Sequence, residues 1–179
     1  MSNLTFNGMT FDSLDEIWAY HYFTECYEHD LIEGFVYHPP SIEIFPPVKH
    51  KEIVTVKKHG KFVDVEKEST LLRECSYTPD FVLYDIDKRL VPYFRESKKG
   101  IYYVDVKPKF ARFHDDKQFS IICKAIYYVH KIYVNKMICP DLFKKTFCPK
   151  ACFYTEKTNK VRKMFENLIT VEKFNAKKD

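Results

Sequence analysis

The spacing of apolar side chains along this chain changes period several times, and each change marks an element boundary. Leu14, Ile17, Trp18, His21 and Tyr22 share one broad face at helical spacing, which predicts a core-packed helix from residue 14 to about 29. Ser13 is placed to cap it, and Glu16, three positions on, completes a capping box. Beyond Gly34 the period shortens. Residues 35–38 and 42–45 read as short extended pieces punctuated by Pro39, Pro40, Pro46 and Pro47. Residues 52–58 and 61–66 alternate as strands do, and His59-Gly60 between them predicts a hairpin. Two apolar runs, 77–86 and 101–107, read as further strands, the second ended by Pro108, which has no amide to donate to a ladder. Helical spacing returns at Phe119, Ile122, Ile126 and Val129, in a helix opened by Asp115 and Asp116. Residues 132–138 form a last core strand. Val161, Met164, Phe165 and Leu168 then predict a C-terminal helix over 159–168, with Lys160, Arg162 and Lys163 on its wet face.

The order is helix, several strands, helix, strand, helix, an α/β layer arrangement around a mixed sheet. With 179 residues, the chain is long enough for one compact domain and crowded as two. A single domain over 1–179 is expected, with its core at about 10–138 and a basic helical extension at 139–179. Apolar content of 45% and aromatic content of 17% exclude a disordered chain. No stretch approaches the ~20 apolar residues that span a bilayer, so no membrane partner is expected. Met-Ser-Asn-Leu-Thr-Phe lacks the basic and then apolar order of a secretory signal, and a cytoplasmic location follows as the expectation. The six cysteines are then expected as thiols. Cys139, Cys148 and Cys152 cluster, but no histidine nearby completes a zinc site. Four glycines and no glycine-rich phosphate loop exclude a Rossmann or P-loop nucleotide cofactor.

The chemistry concentrates in the two apolar runs at 77–86 and 101–107. Asp105 and Lys107, two apart on a strand, project from one side while Val104 and Val106 point to the other. Asp80 opens the neighbouring run in Thr78-Pro79-Asp80-Phe81. A carboxylate set between valines is costly to bury unless paired or metal-bound. Two such acids can hold a hard divalent cation through oxygen, and a lysine beside them can orient a water or steady a phosphate. Each residue also has a plainer reading. Asp105 and Lys107 would form a salt bridge at a sheet edge, Asp80 would be a turn acid, and Glu16 would bond the Ser13 amide as a helix cap. Asp115 and Asp116, with His114, read as helix capping rather than metal ligands.

Pro79-Asp80 followed by Asp105-Val106-Lys107, with Phe11-Asp12-Ser13-Leu14-Asp15-Glu16 upstream, resembles the PD-(D/E)xK nuclease superfamily. Within it, the chain looks most like small phage-type endonucleases and Holliday-junction resolvases, over residues 10–135. One departure is that 24 residues lie between Asp80 and Asp105, too many for a tight hairpin. That excursion carries Lys88, Arg89, Arg95, Lys98, Lys99 and Gly100, which suggests a basic loop. The resemblance implies a restriction-endonuclease-like core, a central mixed sheet flanked by helices. It implies Mg²⁺, with Mn²⁺ able to substitute, held by Asp80, Asp105, the Val106 carbonyl and Glu16. Lys107 would position or deprotonate the attacking water. The substrate would be DNA, branched in the manner of phage recombination, cut to a 5′-phosphate by a homodimer in the host cytoplasm.

The net charge of +4 conceals an asymmetry. Residues 1–87 hold 7 Lys/Arg against 16 Asp/Glu, whereas residues 88–179 hold 22 against 9. A basic half of this size suits a polyanion, although a solvated face is the other reading. Lys98, Lys99, Lys109, Arg112 and Lys117 are the candidate DNA contacts, with Gln118 a polar helper near the phosphate. Tyr102, Tyr103, Tyr127, Tyr128 and Tyr133 read mainly as core and sheet packing, since their spacing does not announce base stacking. Two rival functions stand beside the enzyme: a DNA-binding subunit of a larger phage or transposition assembly with a weak or unused site, and a structural phage protein whose Asp-x-Lys is accidental.

Overall fold

The computed structural model describes residues 4–109, 113–155 and 160–176. Among them are the strands β1 (Leu4–Phe6), β2 (Met9–Phe11), β3 (Ile32–Tyr37), β4 (Ile42–Phe45), β5 (Val48–Lys58), β6 (Lys61–Leu72), β7 (Cys75–Tyr77), β8 (Phe81–Ile86), β9 (Ile101–Val106) and β10 (Val134–Met137). The helices are α1 (Leu14–Glu28), α2 (Phe113–His130), α3 (Cys139–Lys145), α4 (Lys150–Phe153) and α5 (Val171–Ala176). The chain divides into two compact units, residues 1–39 with 79–179, and residues 40–78. No described helix is long and apolar enough to cross a membrane.

The larger unit is built on a four-stranded mixed sheet in the order β10-β9-β8-β3. β3 pairs antiparallel with β8 and β8 antiparallel with β9, while β10 runs parallel to β9 after the α2 crossover. Period-two alternation sends Tyr102, Val104 and Val106 into the main core, which also holds Ala19, Tyr22 and Phe23 of α1 and Phe143 of α3. Tyr103, Asp105 and Lys107 therefore face the other side of the sheet. The fold class is α/β, as the periodicity predicts.

Ser13 caps α1 in extended conformation, and its Oγ accepts the Glu16 amide at 3.2 Å. The buried stripe of the helix keeps Ile17 and Tyr22 of the predicted face but is otherwise shifted. Ala19, Tyr22, Phe23 and Cys26 are wholly enclosed, whereas Leu14 at the open first turn is exposed. Tyr22 anchors this stripe: its ring stacks on Phe143 and Phe147, and its hydroxyl donates to Thr146 Oγ1 at 3.1 Å.

The predicted helix over 159–168 is not formed among its described residues. Val161 bridges Tyr154 antiparallel, the Arg162 amide donates to the Phe153 carbonyl at 2.7 Å, and 163–167 form a turn. Only Phe165 of the four apolar positions is fully buried, wedged against Trp18 and Phe143, while Val161 and Met164 are about half exposed. One aromatic anchor satisfies the segment without a helix, which forms instead at α5. The basic excursion between β8 and β9 is ordered by a short 3-10 turn, Val91–Tyr93, and by a tight turn ending at Gly100 with φ of 71°. A Cβ at Gly100 would lie 2.2 Å from Asp85 Oδ1, so any larger residue would have to displace that side chain as well as adopt the positive φ.

The smaller unit is chiefly the β5–β6 hairpin, which matches the expected bounds at its turn and runs further at its open end, to Val48 and Leu72. His59 and Gly60 both take positive φ, 50° and 79°, as a two-residue turn matched to strand twist requires. β4 and β7 form a second antiparallel pair in this unit.

Candidate active site

Register brings the two aspartates face to face. Phe81 pairs with Val104 across β8 and β9, so Asp80, one step before β8, lies opposite Asp105. The backbone at Asp80 is held by β3, because its carbonyl accepts the His38 amide at 2.9 Å. Its carboxylate Oδ2 accepts the Val106 amide at 2.6 Å. Asp105 is 2% exposed, and its Oδ2 lies 2.5 Å from Lys107 Nζ. The lysine backbone is fixed by donation to Met137 O of β10 at 2.8 Å, and its ammonium stands 4.9 Å from the centre of the Phe119 ring of α2. That side chain keeps 28% of its surface in solvent, so the cation meets both the buried carboxylate and whatever approaches from outside.

Burial, reinforced by the neighbouring Asp105 charge, pushes the Asp80 carboxyl up to about 7. Glu16 adds to the rise, while the Val106 hydrogen bond and Lys107 oppose it. Three carboxylates and one ammonium thus act on a single region at the end of the sheet. Asp15 is also raised, by burial and then by Glu16.

Glu16 takes the capping role expected of it, and its charge also reaches Asp80. It is buried, and its carboxylate accepts from the Ser13 hydroxyl at 2.9 Å and the Asp12 amide at 3.1 Å. The capping box closes one residue earlier than predicted, on Asp12 rather than on the Ser13 amide. The Tyr37 hydroxyl is within donating distance of Glu16 Oε2 at 3.0 Å and of Thr10 O at 3.1 Å. Burial and then the Glu16 contact hold that phenol well above its ordinary range. Ligand atoms of Asp12, Glu16 and His38 lie within 4.8 Å of one another, a set able to hold a cation. Asp12 and His38 carry no local signal of this role. They arrive because the start of α1 and the end of β3 converge on Asp80, a long-range event that spacing along the chain does not record.

The remaining candidates separate. Val106 engages the site through its amide. Lys109 pairs with Asp141 of α3 at 3.1 Å. Lys117 and Gln118 are exposed on the first turns of α2. Arg112 lies outside the described residues, as do the side chains of His114 and Asp115. Lys98 and Lys99 are exposed at the opposite end of β9, where Lys98 bridges Ile101, about 13 Å of strand rise from Asp105, and are not brought to the carboxylates. Lys136, which the sequence reading passed over, is aligned with Asp105 across β9 and β10 and pairs with Asp116 at 2.6 Å. Tyr102 is buried as expected, but Tyr127, Tyr128 and Tyr133 are exposed, which corrects their assignment to the core. Cys123 of α2 adjoins the site: burial and then the Asp105 charge push its thiol up to about 11, against the pull of Lys107.

Among the described residues, the acidic and histidine groups whose ligand atoms gather within 4.8 Å are Asp12, Glu16 and His38, and Asp80 and Asp105 form a facing pair outside that group. Comparison with protein-family models, with curated proteins and with solved structures finds no match to this chain.

Proposed function

We propose that this chain is a Mg²⁺-dependent endodeoxyribonuclease with a restriction-endonuclease-like core of the PD-(D/E)xK type. The observation that carries this reading is the facing pair Asp80 and Asp105 with the Lys107 ammonium on Asp105. The mixed sheet, with α1 packed on one face and Phe119 of α2 over Lys107 on the other, supports the core assignment. Asp80, Asp105 and Glu16 are the residues that would hold Mg²⁺, or Mn²⁺ in its place. When bound, such a cation lowers the pKa of a coordinated water and neutralises charge on a phosphate.

The chain's own groups do the rest. The Val106 amide fixes the Asp80 carboxylate, and Ser13 with the Asp12 amide fixes Glu16. Lys107, held by Asp105 yet open to solvent, donates to an attacking water or to a phosphate oxygen and offsets charge that develops at phosphorus. DNA is the substrate of this reading, and symmetrical cutting of branched DNA by a homodimer is its most specific form.

The test is incubation with Mg²⁺ and linear, nicked and four-way-junction DNA, beside Asp105→Asn and Lys107→Ala variants. Cleavage by the native chain, lost by at least 100-fold in both variants while DNA binding persists, is the expected outcome. Binding without cleavage of any substrate moves the chain to a DNA-binding subunit with an unused site. No DNA affinity at low salt removes both readings.

A further inference from the structure

Beyond the carboxylates, the second half of α2 and the start of β10 border an open groove of about 510 Å³. Tyr127, Tyr128 and Tyr133 line it and are 48%, 80% and 38% exposed. Three tyrosines left this open side by side on an ordered helix and strand are not serving the core. Arg95, Lys124 and Lys131 also line the groove, and among the described residues no carboxylate does. The cations are set against the rings: the Arg95 guanidinium is 5.0 Å from the centre of Tyr133, and Lys131 Nζ is 5.4 Å from Tyr128 and 5.9 Å from Tyr127. Lys131 Nζ also donates to the Tyr128 carbonyl at 3.1 Å, offsetting the negative end of α2.

The basic excursion before β9 ends here as well. Ser97 Oγ donates to Tyr133 O at 2.5 Å and accepts the Tyr133 amide at 3.0 Å, which ties the Lys98-Lys99 turn to the groove. The nearest acid of that turn, Glu96, faces back into it and accepts the Gly100 amide at 2.6 Å. A path connects the groove to the proposed catalytic lysine. Phe119, under the Lys107 ammonium, is followed on the same stripe of α2 by Cys123 and Tyr127 at i+4 and i+8, about 12 Å along the axis.

Resting on the nuclease reading, we infer that this groove is a stacking platform for unpaired bases of a DNA strand whose phosphodiester lies at Asp80, Asp105 and Lys107. Duplex DNA presents only base edges and phosphates to a protein, so it uses the cations and leaves the rings idle. A single strand uses both, its bases stacking on tyrosine faces while lysine and arginine follow the backbone. The substrate class is therefore DNA with a single-stranded or splayed segment beside the scissile bond.

The test separates this inference from the nuclease reading by measuring binding in EDTA, where no cleavage occurs. Fluorescence anisotropy of the full chain is recorded with a labelled oligothymidylate and with a duplex of equal length. The variants are Tyr127→Ala with Tyr128→Ala, and Tyr128→Phe. Tighter binding of the single strand, a loss of about 10- to 100-fold in the double alanine variant, and retention by the phenylalanine variant are expected. Equal loss on duplex, or no loss on the single strand, overturns the platform. So does polyglutamate bound as tightly and with the same tyrosine dependence, which would make the occupant an acidic peptide. Stacking without Mg²⁺-dependent cleavage sinks the nuclease and leaves the groove standing. Cleavage with no tyrosine effect does the reverse.

Discussion

Asp80 is the residue whose state most directly reports the site. Its carboxyl is raised to about 7, chiefly by burial and then by Asp105, from an unfolded-state value of about 3.9. Between those values the folded chain binds a proton that the unfolded chain has released, so acid favours the fold. The contribution is complete below about pH 4 and is lost as pH rises through about 7. Asp80→Asn does not have this dependence and keeps an oxygen for the Val106 amide. Urea midpoints at pH 8 should show the variant more stable than the native chain by about 2 kcal/mol, with the gap closing towards pH 4. A difference that stays flat from pH 5 to 8.5 would mean that the two carboxylates do not crowd each other. If the proposed cation site is real, Mg²⁺ at pH 8 raises the native unfolding temperature and leaves that of Asp80→Asn unmoved.

At the scale of elements, two tight turns built on glycine differ in what surrounds them. Gly100 has a φ of 71° and no room, since an added Cβ would meet Asp85 Oδ1 at 2.2 Å. Gly60 has a φ of 79° with nothing within 4 Å. Gly60→Ala should cost about 1 kcal/mol, the backbone term alone. Gly100→Ala should cost more, about 2 kcal/mol, because the exposed Asp85 side chain must rotate away as well. Thermal unfolding of the two variants measures the contrast, and equal shifts would refute the crowding at Asp85. The hairpin turn was legible in His59-Gly60, because two-residue hairpin turns demand positive φ at both positions. Asp105 and Lys107 were legible as one face of a strand, because side-chain alternation is purely local. Failures came where tertiary contacts choose among local options. The packing of Ala19, Phe23 and Cys26 beside Tyr22 moved the buried face of α1 off Leu14, and Phe165 alone satisfied a segment whose spacing matched a helix. Tyr37 and His38 joined Glu16 only through the pairing of β3 with β8, for which the chain carries no short-range mark.

Across the whole molecule, the acidic and basic halves of the sequence do not map onto the two units. Residues 40–78 carry seven Lys/Arg and six Asp/Glu and are close to neutral. The opposed charges meet in the larger unit, where residues 1–39 contain seven Asp/Glu and no Lys/Arg, and 79–179 hold all the remaining basic side chains. Every carboxylate of the proposed site and every cation of the tyrosine groove belongs to this unit. The segment 40–78 enters after β3 and leaves before β8, two strands that are themselves antiparallel partners with Tyr37 opposite Phe81. His38 and Asp80 are already hydrogen-bonded at the point of insertion, so a turn of about four residues can join Pro39 to Pro79. Shortening a connection of 39 residues to that length reduces closure entropy by up to about 2 kcal/mol. Replacing 40–78 with a short glycine-containing turn should therefore leave a cooperative unfolding transition and the same Mg²⁺-dependent shift at pH 8. Loss of the transition would show that the larger unit depends on the hairpin to fold. Retention of the fold with loss of the Mg²⁺ shift would instead place a necessary part of the cation site within 40–78, against the assignment to Asp80, Asp105 and Glu16.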